Sequence, residues 1–129
     1  MNNLEYLKTL FYQISQIGQK EYDNWSQDDT GYDEEVGYGG ICHLIADQIV
    51  YFLQKHNIES ISHSLDSEVH VLVIVKLDDG IYSLDIPYSY YETGGGYHWT
   101  KKPNIIFDEN FVHYSKISSK IEDFDQYLI

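Results

Sequence analysis

Apolar residues recur along this chain at two different periods, and the change of period divides it into helices and strands. Leu4, Leu7, Phe11, Ile14 and Ile17 follow one another at steps of three and four, which lines one face of a helix. The spacing predicts a helix over residues 3–18 that closes near Gly18. Residues 19–38 then turn polar and acidic, with Asp28-Asp29 and Asp33-Glu34-Glu35 around Tyr22 and Trp25. They read as a long ordered loop, and a loop of that length in a compact domain is a candidate wall of a functional site.

Helical spacing returns at Ile45, Ile49, Phe52 and Leu53, predicting a helix from Cys42 to about His56 with Asn57 as its left-handed cap. The period then shortens. Residues 58–65 read as an edge strand with serines on one face. The β-branched run from Val69 to Leu77, the turn Asp78-Asp79-Gly80 and the run Ile81 to Ile86 read as a hairpin. The first arm is apolar on both faces, as expected of a central strand covered by helices on at least one side. Further strands are expected at Ile105 to Phe107 and Phe111 to Tyr114. A closing helix is expected on Ile117, Ile121, Phe124 and Leu128. The expected class is therefore α+β, helices on an antiparallel sheet, in one domain over 1–129.

Charge narrows the partners. Eight basic and 21 acidic residues give a net charge of -13, which repels nucleic-acid backbones and anionic membrane surfaces. No apolar run is long enough to cross a bilayer, and neither end reads as a signal sequence. One cysteine excludes an intramolecular disulfide, so a reducing cytoplasm is the expected home. Thirteen tyrosines supply rigid, half-polar surface for a pocket or for the core edge.

That cysteine follows Gly39-Gly40-Ile41 and opens the second predicted helix. A helix N-terminus favours the thiolate, so Cys42 is a candidate nucleophile, with Gly39 and Gly40 leaving room for a substrate carbonyl beside the backbone. The alternative is a buried thiol that fills the core. A nucleophilic thiol needs a base, and the base needs an orienting group. His70, at the start of a strand, and Asp85, at the end of the next, can supply them. The hairpin constrains this pairing. With Asp79-Gly80 as the two central turn residues, Asp85 falls opposite Ile74, on the face of His70 but four positions away, roughly 13 Å. A three-residue turn moves it opposite Val73 and onto the other face. His43 is adjacent to Cys42 and points elsewhere on the helix. His43, His56, His63 and His113 are assigned to surface or packing. A metal site from Cys42, His43 and His70 is disfavoured by the adjacency of its first two members, and no cofactor is expected. The stretch from Pro87 to Trp99, with Gly94-Gly95-Gly96 between aromatic clusters, reads as a flap offering Tyr97 and Trp99 as substrate contacts. Tyr38, itself a candidate substrate contact, and Asn24 and Gln27 of the preceding loop are candidates for a second oxyanion donor beside the backbone N–H groups near Cys42.

Gly39-Gly40-Ile41-Cys42 at a helix start, a strand histidine, and Asp85-Ile86-Pro87 after a turn together resemble the transglutaminase-like and arylamine N-acetyltransferase branches of the papain-like cysteine enzymes. The resemblance covers roughly residues 37–90, and the His70 to Asp85 gap of 85 - 70 = 15 is similar to theirs. It implies a papain-like core with Cys42 as nucleophile, His70 as general base and Asp85 as its orienting partner. The activity so implied is hydrolysis, deamidation or acyl transfer at an amide of a peptide or protein. Tyr38 stands where those families carry an arginine, and the chain is too short for the further domains of an acetyltransferase. The competing expectation is a non-catalytic acidic binding or inhibitor protein on the same scaffold.

Overall fold

The computed structural model describes residues 3–24, 42–65, 70–86 and 106–128. Four antiparallel strands lie side by side in chain order: β1 (Ser60–Leu65), β2 (His70–Leu77), β3 (Gly80–Asp85) and β4 (His113–Ser118). Helices α1 (Leu4–Thr9), α2 (Phe11–Asn24) and α3 (Cys42–Lys55) pack on one face of this sheet. There Leu7, Ile14, Ile49 and Leu53 meet Val73, Val75 and Leu84, all almost fully buried. On the opposite face a smaller cluster of Ile74, Ile81 and Phe124 is covered by a 3-10 stretch, Ile121–Leu128. The α+β class expected from the sequence is the one observed.

The first helix starts where expected, with Asn3 as its cap, and differs further on. It breaks at Leu10, and the chain then stays helical well past Gly18 to Asn24, so the start of the expected acidic loop is helix. Gly18 is a contact and not a stop: a Cβ there would lie 2.8 Å from Ile86 Cδ1. Tyr22, expected in the loop, is buried with its ring 5.3 Å from that of Phe107. Trp25, Gln27 and both acidic runs lie outside the described residues.

Residues 106–108 are not a strand, because their backbone is taken up by α2. Gln16 Nε2 donates to the Phe107 carbonyl at 3.0 Å, and the Phe107 N–H donates to Gln19 Oε1 at 2.6 Å. Next comes a 3-10 turn, Glu109–Phe111, capped by Asp108, whose carboxylate accepts from the Asn110 N–H. The strand expected at Phe111 to Tyr114 therefore begins only at His113 and runs to Ser118. Ile117, assigned to the closing helix, is an exposed residue of that strand, and the segment after it is 3-10.

The hairpin turn is Asp78-Asp79, one residue earlier than Asp-Gly chemistry suggests. Leu77 pairs with Gly80, which is already strand and has φ 151°. Tyr82, its ring buried, donates its hydroxyl to Asp79 at 2.9 Å, and Lys116 of β4 approaches the same carboxylate at 3.4 Å. The Tyr82 hydrogen bond, aided by Lys116, holds Asp79 below its ordinary value of 3.8. Burial and the same bond raise Tyr82 above 10.0. A lowered carboxylate stabilises above its unfolded value and loses that contribution as pH falls through its folded one. A raised phenol does so below its unfolded value and loses it as pH rises through its folded one. Stability followed from pH 6 into acid should therefore decline below pH 3.8, with a shallower acid limb in Tyr82→Phe.

Candidate functional site

Cys42 is the first residue of α3, a helix made by the apolar stripe Ile45, Ile49 and Leu53 and ended by a left-handed Asn57, φ 60°. The Ile58 N–H donates back to the Leu53 carbonyl, so the chain reverses tightly and β1 runs antiparallel to the helix. The C-terminal end of α3 thus lies by Ser60, and its Cys42 end points toward Leu65.

One side-chain contact fixes the level of helix against strand. Ser62 Oγ donates to Asp47 Oδ1 at 2.7 Å. Cys42 is five residues toward the N-terminus from Asp47, about 7.5 Å at 1.5 Å per helical residue. Ser64 is two residues beyond Ser62, about 6.6 Å along β1. Cys42 therefore sits at the height of Ser64 and Leu65, and these pair with Val71 and His70. In the β2–β3 ladder Leu84 pairs with Val73, so the next step sets Asp85 at the height of Leu72. All three sequence-predicted catalytic positions share one end of the molecule.

The observed register also alters their spacing. Moving the turn to Asp78-Asp79 shortens the His70 to Asp85 offset from the four positions expected to two, on the same face, a diagonal of roughly 7–8 Å between backbones. The other coordinate is the face itself. β2 sends Val73, Val75 and Leu77 toward α3, and Leu72 and Ile74 to the opposite side. Regular alternation assigns positions 70 and 85 to this second row, with Ile81 and Ser83. Backbone positions 70 and 85 thus fall in one row, and α3 packs on the other.

Sequence reasoning missed two participants. Asp47, exposed on α3, sets the helix level through Ser62. The serines of residues 58–65 share a face in the sequence pattern, but nothing in it names their partner. His113, assigned to surface or structure, is exposed at the start of β4 and pairs in register with Asp85. His43 is exposed, His56 packs its ring on Phe52, and His63 sets its ring edge-on to Tyr127. Asn24 is the last residue of α2. Tyr38, Gly39, Gly40, Tyr97 and Trp99 lie outside the described residues.

Among the described residues no group of three or more histidine, cysteine, aspartate or glutamate side chains is arranged to hold a metal ion. No helix among them is long and apolar enough to cross a membrane. Comparison of the chain with protein-family models, curated proteins and solved structures finds a match to none of them.

Proposed function

We propose that this chain is a cysteine-nucleophile enzyme acting on an amide of a peptide or protein, with Cys42 as nucleophile, His70 as general base and Asp85 as its orienting partner. The observation that carries the reading is the common level of the three positions, fixed by the Asp47–Ser62 hydrogen bond and the two strand registers. A helix opening on the cysteine and lying on an antiparallel sheet whose strands bring the other two groups is also what a papain-like core requires. In this reaction the Cys42 thiolate attacks the carbonyl carbon, and backbone N–H groups at the start of α3 hold the oxyanion. His70 delivers the thiol proton to the departing nitrogen as the C–N bond breaks. Water or an amine then releases the acyl group from sulfur, giving hydrolysis, deamidation or acyl transfer.

One observation favours the non-catalytic alternative: strand alternation turns row 70 away from α3. The pH dependence of Cys42 alkylation by iodoacetamide separates the two. An activated thiol ionises below pH 7. Alkylation that rises only around the ordinary thiol value of about 8.5 overturns the enzyme and leaves a binding protein.

A further inference from the structure

The outer edge of β1, on which no strand pairs among the described residues, leads to the level of Cys42, and we infer that it receives the substrate as an extended peptide strand with a lysine or arginine facing Asp47. This rests on the proposed function and names its substrate class. The Lys76 N–H donates to the Glu59 carbonyl at 2.9 Å, one step before the Ser60–Val75 pair. In an antiparallel ladder, hydrogen-bonded and non-bonded pairs alternate. Glu59, Ile61, His63 and Leu65 therefore turn their backbone groups toward β2. Ser60, Ser62 and Ser64 turn theirs outward, because β1 is the first strand of the described sheet. An incoming strand pairs with those three residues, and main-chain bonds of this kind hold extended peptides on sheet edges.

The register of such a strand follows from the same geometry. Paired residues project to one face, so the peptide residue opposite Ser62 shares the α3 side with it and meets the exposed Asp47 carboxylate. A cationic side chain fits there, and the net charge of -13 draws cationic peptides to the surface. Two peptide residues further on, opposite Ser64, the strand reaches the height of Cys42. The reactive amide then lies two residues from the lysine or arginine. At the far end the edge starts beside an open hollow lined by Gln54, Asn57, Ile58, Glu59, Phe124 and Leu128, wide enough for a peptide side chain.

The test is an amide NMR titration of the full-length Cys42→Ala protein with acetyl-Thr-Val-Thr-Lys-Thr-Val-Thr-amide, and with the same peptide carrying glutamate for lysine. Binding should shift the Ser60, Ser62 and Ser64 amides and slow their solvent exchange. The lysine peptide should bind about fivefold more tightly, the upper range for an exposed ion pair, and Asp47→Asn should abolish that preference. Unmoved β1 amides, or a lysine preference that survives Asp47→Asn, overturn the inference. Iodoacetamide kinetics on the wild type report separately. A reactive thiol without edge binding removes only this inference, whereas edge binding with an inert thiol removes the enzyme and leaves a peptide-binding module.

Discussion

Replacing Gly80 by alanine should cost about 3–5 kcal/mol, a large share of the stability of a domain this size. Two effects add. The backbone at Gly80 has φ 151°, a conformation that side-chain-bearing residues rarely adopt. An added Cβ would also sit 2.2 Å from the Ser118 carbonyl oxygen, a backbone atom of β4 that cannot move without opening the β3–β4 ladder. Gly18→Ala is the control. Its Cβ would meet the end of the Ile86 side chain at 2.8 Å, which can rotate away, and alanine recovers about 1 kcal/mol of helix propensity. Urea unfolding should show a large fall in midpoint for Gly80→Ala and a change of no more than about 1–2 kcal/mol for Gly18→Ala. Equal effects at the two sites would mean that the close approach of Gly80 to β4 carries no weight.

The same glycine shows where sequence reasoning stops. Asp79-Gly80 marks a hairpin, and there is one, but the glycine serves a contact with β4 and the turn slides back a residue. That slide cannot be seen in a local pattern, since it depends on a strand more than thirty residues away. Helix α3 and strands β2 and β3 were legible because burial imposes their periods on Ile45, Ile49, Leu53, Val73, Val75 and Leu84. The extent of strand β4 was not, beyond the strand expected up to Tyr114, because His113 to Ile117 are all exposed and no face needed to be apolar. The clamp of Gln16 and Gln19 on Phe107 was equally hidden, as glutamines carry no periodic signal. At the candidate site, the hairpin pattern left positions 70 and 85 four apart, and only the observed register brings them to two. The level of the helix was not legible either, since it hangs on the single Asp47–Ser62 bond.

On the proposed function, His70→Ala should abolish most of the amide chemistry and slow Cys42 alkylation at pH 6 by about tenfold in a protein that stays folded. The two readouts differ in size for a physical reason. If the pair holds the thiol at a pKa of about 6, half is thiolate at pH 6, whereas a thiol of about 8.5 is roughly 0.3 % ionised, a fall of about 150-fold. The more basic thiolate is intrinsically more nucleophilic by about tenfold over that interval, which offsets part of the loss. Turnover has no such offset, because the leaving nitrogen still needs a proton, and loss of a general acid–base group costs about 10²–10⁴. Asp85→Ala should act in the same direction with a smaller effect, since it removes the orienting partner and not the base. His70 begins β2 and, among the described residues, pairs with Leu65 at the end of β1. Unchanged alkylation in folded His70→Ala would mean that position 70 keeps the regular alternation of β2, facing away from α3, and that Cys42 has no base there.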